Sequence, residues 1–234
     1  MTTGTKTYSS AIEHAHNYSS WILDAFEPYI GRRVLEIGLG HGALRSQLPP
    51  LERYVGVDID AESIADARRR YPGDTYLVAD IAATGLKERI GVDDFDTVLC
   101  LNVLEHVEQD AVALSQLLSV VKPGGYLSLF VPAFPALYSD MDRLAGHWRR
   151  YTRSSIDELA ARCGAHLVVN RYFNAVGGVG WWINKFGRHR SLDDRAVNRQ
   201  IELFDRWLVP ISRNVDHVTS RFFGQSLVGV FQKQ

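Results

Sequence analysis

The chain has 234 residues, 46% hydrophobic and 11% aromatic, which suits one globular domain with a full core. A net charge of −1 and a pI of about 6.7 exclude a general electrostatic pull toward nucleic acid. The N-terminus is polar without a signal-peptide segment, and no apolar run reaches a membrane span. Cys100 and Cys163 fall in apolar segments without metal-type spacing, so a cytoplasmic protein with free thiols and no metal site is expected.

Residues 1–8 read as a loose tail. Ser10-x-x-Glu13 is a capping box for a helix on which Ile12, Ala15, Ser19, Ile22 and Phe26 recur at helical spacing, ended by Pro28. This segment, residues 9–30, precedes the first strand and can cover a ligand, with Tyr18 and Trp21 on a neighbouring face; ordinary packing explains that pair equally well. Val34-Leu35-Glu36-Ile37 reads as a buried parallel strand. Gly38-Leu39-Gly40-His41-Gly42 then turns sharply into a short helix that ends near Leu48 before Pro49-Pro50. Such a turn brings the backbone close to a nucleotide-type ligand, with helix-start N–H groups facing it. Gly38-x-Gly40-x-x-Ala43 also satisfies the loose dinucleotide pattern. Glu36 discriminates, because a carboxylate at the strand's carboxyl end repels a pyrophosphate and attracts an ammonium or sulfonium. S-adenosylmethionine carries both cations, plus a carboxylate for the helix N-terminus.

Arg53 to Val57 is the second strand. Asp58 follows it, 22 residues after Glu36, near the roughly 20 expected for an acid that takes ribose hydroxyls. Asp60 caps the next helix, which runs through Tyr71. Thr75 to Ala79 is the third strand and ends in Asp80, placed to accept from an adenine amino group while Ile81 offers its backbone N–H; a turn-forming aspartate is the alternative. After a fourth strand, Phe95 to Leu101, Asn102 and Glu105 have N-cap and N3 spacing, and His106 lies on the first turn of a helix to about Val121. Lys122-Pro123-Gly124-Gly125 turns into the fifth strand, Tyr126 to Val131. This alternation implies an α/β fold with a doubly wound parallel sheet and right-handed crossovers. Glu36, Asp58, Asp80 and Asn102 converge on its carboxyl edge.

Together these residues resemble the class I S-adenosylmethionine-dependent methyltransferases, over roughly Asn17 to Asn174 and a final strand near Ser226 to Gln232. Glu36-x-Gly38-x-Gly40-x-Gly42 matches the family's first motif, Asp58 stands at its ribose position and Asp80 at its adenine position. Asn102 to Val107 looks like the variant of small-molecule and quinone-type members. The resemblance implies a mostly parallel seven-stranded Rossmann-like sheet with the last strand antiparallel, and S-adenosyl-L-methionine as cofactor. The donor site it implies comprises Tyr18, Trp21, Glu36, Gly38, Leu39, Gly40, Gly42, Asp58, Ile59, Asp80, Ile81 and Asn102, with Tyr18 and Trp21 closing over the methionine end.

Beyond the fifth strand, Pro132 to Tyr151 crowds two prolines, aromatics, His147 and three arginines into a connection beside the cofactor mouth. His147 is the first choice for a general base or acceptor-orienting group, and His106 the second. Arg149 and Arg150 suit an anionic acceptor, with Tyr138, Tyr151 and Trp181 as further lining; the alternative pairs the arginines with Asp140 and Asp142 in a solvated loop. Thr152 through Cys163 is a helix with Ser155-x-x-Glu158 as capping box and Gly164 as stop, and His166 to Asn174 is the sixth strand. Residues 175–224 form a helical insertion before the last strand. Its Gly177-to-Trp182 stretch leads to a stripe of Val197, Ile201, Phe204, Leu208, Ile211, Val215, Val218 and Phe222, which Pro210 kinks or splits. The insertion reads as a lid on its own sheet, as a homodimer seam, or as a lipid contact through Trp181, Trp182, Lys185, Arg188 and Arg190. Eight basic against five acidic residues between Trp181 and Arg221 make the lipid contact the weakest of the three.

Residues 1–234 thus read as a single methyltransferase domain acting on oxygen or nitrogen, less readily carbon, of a small metabolite or natural-product intermediate. A nicotinamide-dependent oxidoreductase and a cofactor-binding protein that does not methylate are the rivals.

Overall fold

The computed structural model describes residues 15–40, 42–184 and 195–234. The Ser10–Glu13 capping box, His41, and the basic residues Lys185, Arg188 and Arg190 lie outside the described residues.

Helix α1 (His16–Asp24) leads into strand β1 (Arg33–Ile37), followed by β2 (Arg53–Asp58), α2 (Ala61–Arg70), β3 (Thr75–Val78), α3 (Leu86–Ile90) and β4 (Phe95–Leu101). Then come α4 (Asp110–Val120), β5 (Val121–Pro132), α5 (Asp140–Ala145), α6 (Arg153–Cys163) and β6 (His166–Phe173). Helices α7 (Ala175–Asn184), α8 (Arg195–Leu203) and α9 (Val209–Thr219) precede β7 (Ser226–Gln232).

One seven-stranded sheet has the order β3-β2-β1-β4-β5-β7-β6. β1 pairs parallel with β2 and β4, and β7 runs antiparallel between β5 and β6. This is the mixed Rossmann-like sheet expected from the sequence. The order reverses at β1 and β4, so the crevice for a ligand opens beyond their carboxyl ends.

Strand alternation builds the two faces. Leu35 and Ile37 of β1, with Val98 and Cys100 of β4, pack with Leu114 and Leu117 of α4 and Ile156 of α6. Val34 and Leu99 point the other way, to Ile64 and Ala67 of α2. Trp21, Ile22 and Phe26 of α1 cover Phe130, Phe173, Val228 and Val230 farther along that second face.

Three local expectations are corrected. After the glycine turn, residues 42–48 hold turns and a 3-10 segment, Arg45–Gln47, in place of the expected helix. Asn102 is not an N-cap: it lies at φ 54°, and a 3-10 turn, Leu104–His106, intervenes before α4. The box that opens α6 is Thr152 with Ser155, three residues earlier than Ser155 with Glu158, because Thr152 has the extended backbone that a cap needs.

The insertion, read from the sequence as a lid, a homodimer seam or a lipid contact, buries only part of its apolar stripe. Phe204 and Val209 pack toward the sheet, but Leu208, Ile211, Val215, Val218 and Phe222 stay exposed, Val218 by 71%. The buried positions of α9 are Val209, Ser212 and Asp216. Asp216 accepts from Asn174 N at 2.8 Å and Ala175 N at 3.0 Å, capping α7. Asp205 likewise accepts from Tyr18 N at 2.7 Å and Asn17 N at 3.4 Å at the start of α1. Two acids serving helix N-termini thus set which side of the segment turns inward. Asp205 sits in a π-helical turn, Phe204–Leu208, that precedes Pro210 and breaks the helix where the sequence suggested.

Candidate active site

β1 carries Glu36 to the carboxyl edge on the face of Val34 and Tyr54. Glu36 is 2% exposed and accepts a hydrogen bond from Tyr54 Oη at 2.6 Å. Burial pushes its carboxyl up to about 7, against the pull of that hydroxyl and of the more distant Arg45. Arg45 itself is bound to Asp74 at 2.6 Å. Glu36 is therefore a buried acid whose hydrogen-bonding partner is neutral.

The glycine turn beside it needs glycine at Gly38 for two reasons. Its φ is 71°, and a Cβ there would stand 2.2 Å from Val103 Cγ2. The turn's donors are occupied internally: Gly38 N and Leu39 N donate to Val57 O at 2.7 and 3.4 Å, and Gly40 N to Asp58 Oδ2 at 2.9 Å. A pyrophosphate would meet a carboxylate and no free N–H at these three positions, which speaks against a dinucleotide. Asp58 also accepts from Asp60 N at 2.9 Å, and each of its oxygens keeps a lone pair for a ribose hydroxyl.

Asp80 is exposed and turns the chain by accepting from Ala82 N at 2.8 Å. Ile81 beside it is buried, whereas Ile59, after Asp58, is 44% exposed. Asn102 is exposed, and its N–H donates to Phe130 O at 2.8 Å. Asn102, Phe134 and Asn174 all hold positive φ just beyond β4, β5 and β6, so backbone strain gathers at the crevice edge. Tyr18 and Trp21 reach the same edge but are packed there. The Trp21 ring lies 4.1 Å from Phe173, and the Tyr18 hydroxyl, pushed up to about 12 by burial, bonds Asn174 and Ser226.

In the connection after β5, α5 starts with a reciprocal cap. Asp142 Oδ2 accepts from Ser139 N at 2.9 Å and Ser139 Oγ at 3.2 Å. Gly146, at φ 78°, ends the helix, and the returning chain ties Trp148 N to Glu105 O at 2.8 Å. His147 is thereby laid over the 3-10 turn that bears Glu105 and His106. Its Nδ1 meets Asp142 Oδ1 at 2.9 Å, and its Nε2 stands 3.9 Å from Glu105 Oε1. The two imidazole rings are 4.7 Å apart, edge to face. Burial pushes Glu105 up to about 7. Burial and the neighbouring His147 push His106 down to about 4. Both histidines singled out from sequence thus share one cluster.

The other residues assigned to an acceptor from the sequence have internal partners. Arg150 is buried, bonded to Asp142 Oδ1 at 2.8 Å and Ala133 O at 3.1 Å, with its guanidinium 4.7 Å over the Trp181 ring. Arg149 joins Asp110 at 2.7 Å and Glu108 O at 2.6 Å. Neither forms the solvated loop considered from sequence; the exposed pair is Arg143 with Asp140. Tyr151, expected to line the acceptor, is 2% exposed, and its hydroxyl lies against Leu104 O and Asp110. Tyr138 Oη donates to His147 O at 2.7 Å and so braces the loop. Sequence reasoning did not assign Tyr54, Glu105 or Asp142 to the site. Ser139-x-x-Asp142 was a legible box, and an acid beside His106 was a legible neighbour; Tyr54 against Glu36 needed the register of β1 on β2.

Residues 35–129 match the family described as Methyltransferase domain. Over 111 residues the chain is 36% identical to the ubiquinone biosynthesis O-methyltransferase of Paraburkholderia xenovorans (strain LB400), covering 46% of this chain and 47% of that protein. The chain thus spans about half the length of that curated relative. A SAM-dependent methyltransferase from Archaeoglobus fulgidus superposes with a TM-score of 0.60 at 18% identity, over 92% of this chain and 93% of that one. The trans-methyltransferase CalH in complex with SAH superposes with a TM-score of 0.52 at 20% identity, over 66% and 52%. These two likenesses concern the fold.

Proposed function

We propose that this chain, whose residues 35–129 match the Methyltransferase domain family, is a class I S-adenosylmethionine-dependent methyltransferase that transfers a methyl group to oxygen or nitrogen of a small metabolite or biosynthetic intermediate. The observation that carries this reading is Glu36, a carboxylate buried at the switch point with only the neutral Tyr54 hydroxyl as its hydrogen-bond partner, a place that favours a cationic ligand. When bound, the donor supplies a methyl group on a positively charged sulfur. Glu36 neutralises the positive methionine end, Asp58 holds the ribose, and Asp80 with the Ile81 N–H holds the adenine. Gly38, Leu39, Gly40 and Gly42 let the backbone come close, and Asn102, Tyr18, Trp21 and Ile59 bound the same crevice.

His147, oriented by Asp142 and backed by His106, activates the acceptor. Most of the rate comes from alignment: positioning the reactants supplies roughly 7–11 kcal/mol, and a positioned base roughly 10²–10⁴-fold more. The aromatic loop from Phe134 to Trp148 favours a partly apolar acceptor.

Transfer of label from methyl-labelled S-adenosylmethionine to pools of hydroxyl- and amine-bearing small molecules tests the reading, with S-adenosylhomocysteine binding measured alongside. A labelled product is expected, and His147→Ala should keep binding while turnover falls by roughly 10²–10⁴-fold. S-adenosylhomocysteine binding without product in any pool favours the non-methylating rival. Dinucleotide binding in its place favours the oxidoreductase.

A further inference from the structure

We infer that Glu105, His106 and His147 form a divalent-metal site of the zinc type, whose open position takes an acceptor oxygen. The inference deepens the methyltransferase reading and rests on it for the acceptor's role. One ligand atom from each of the three side chains lies within 4.8 Å of the others. His147 Nε2 and Glu105 Oε1 are 3.9 Å apart, beyond hydrogen-bond reach. Two ligand atoms about 2.1 Å from a tetrahedral zinc stand about 3.4 Å apart. Closing that pair onto an ion therefore needs a shift of about half an ångström, and a pair at the 4.8 Å limit about 1.4 Å.

A second observation points the same way. Glu105 is 1% exposed, and its Oε2 is buried with no hydrogen-bond partner. An unpaired buried carboxylate oxygen is costly unless something cationic meets it. Each imidazole is also held from outside. His147 Nδ1 is fixed by Asp142 Oδ1 at 2.9 Å, and Asp142 is in turn fixed by Ser139 and Arg150. One ring nitrogen of His106 hydrogen-bonds the backbone at Gly146. A carboxylate behind a histidine is the usual outer support of a metal ligand, setting its tautomer and raising its basicity.

Two histidines and one carboxylate make a three-ligand set that leaves a coordination position open, as catalytic zinc sites do. The class of acceptor this implies is a hydroxyl, phenolic or enolic oxygen. The ion lowers the pKa of that O–H, and its proton leaves to solvent. The oxygen lone pair forms the new O–C bond, while the electron pair of the breaking S–C bond stays on sulfur. In this arrangement His147 activates the acceptor through the ion it holds, so the turnover lost in His147→Ala reads the loss of that ligand.

The test is metal binding by the full chain without an affinity tag. Protein stripped with chelator is titrated with Zn²⁺ by calorimetry and with Co²⁺ by visible absorption, with S-adenosylhomocysteine binding and thermal melting recorded on each sample. One equivalent is expected, with Co²⁺ bands in the visible. His106→Ala should weaken binding by more than the roughly 10–100-fold that loss of an outer partner costs, at an unchanged melting temperature. Glu105→Gln serves as a second variant with the same expectation. Absence of stoichiometric Zn²⁺ and Co²⁺ binding while S-adenosylhomocysteine binds would overturn the metal site and leave the methyltransferase reading standing. Stoichiometric metal without S-adenosylhomocysteine binding would uphold the metal site and remove the methyltransferase reading. Retention of one equivalent in both variants would overturn the ligand assignment.

Discussion

Tyr54→Phe isolates the electrostatics of Glu36, because it removes one hydroxyl and leaves the buried ring. In the wild type, burial holds the Glu36 carboxyl at about 7, above its ordinary 4.5. A group with a raised folded pKa contributes stability below 4.5 that is lost as the pH rises through about 7, here on the order of 3 kcal/mol. A bound cationic donor returns that loss, so donor affinity should rise with pH up to about 7 and then level. The Tyr54 hydrogen bond to a charged acceptor is worth about 1.5–3 kcal/mol, or roughly one to two pH units. Tyr54→Phe should therefore move the Glu36 pKa to roughly 8–9. At pH 7 the ionised fraction falls from about a half to between roughly one in ten and one in a hundred, and affinity falls roughly 5- to 50-fold. By pH 8.5 the two proteins should agree within about fourfold. Calorimetric titration with S-adenosylhomocysteine from pH 6 to 8.5 measures both curves. Parallel curves, offset equally at every pH, would refute the assignment of Glu36 as the titrating group that meets the donor.

Asp142→Ala leaves the buried Arg150 guanidinium without its carboxylate, which should cost about 3–5 kcal/mol. A thermal scan should show a fall on the order of 10 °C, and a fall under about 2 °C would mean that the pair contributes little. Gly38→Ala places a Cβ 2.2 Å from Val103 Cγ2 at a φ of 71° and should destabilise in urea melts by more than about 1 kcal/mol. Combining it with Val103→Ala should recover the steric part; no recovery would locate the cost in the backbone alone. Ile211→Asp and Val218→Asp lie on exposed apolar positions and should change stability by less than about 0.5 kcal/mol. Asp216→Ala strips two buried N–H groups of their acceptor and should cost about 1–3 kcal/mol. The reverse ranking would mean that α9 packs by its apolar stripe after all.

The sheet was legible because β1, β2 and β4 are runs of mostly buried residues with Glu36, Asp58 and Asn102 at their carboxyl ends, and strand alternation with helices leaves few topologies. Asp60 as a cap and Gly164 as a stop were legible because capping is local in sequence. Asn102 misled for a physical reason: N-cap spacing was present, but the chain leaves β4 in a left-handed step that makes a 3-10 turn instead. The stripe in the insertion left a lid, a homodimer seam and a lipid contact open because periodicity reveals that a helix has two faces and not which one turns inward. Asp205 and Asp216 settle that by capping α1 and α7, whose starts are far away in sequence. His106 and His147 were legible one at a time as polar residues near the crevice. Their meeting, and the part of Asp142 and Glu105 in it, depended on a loop path held by Trp148 N to Glu105 O.

The most direct measurement is a paired calorimetric titration of wild type and Glu36→Gln at pH 7.5 with S-adenosylhomocysteine, S-adenosylmethionine and a nicotinamide dinucleotide. Micromolar binding of both adenosyl ligands by the wild type is predicted, with a loss in Glu36→Gln larger for the sulfonium ligand, and no dinucleotide binding. Equal affinities in the two proteins, or dinucleotide binding alone, would contradict the account.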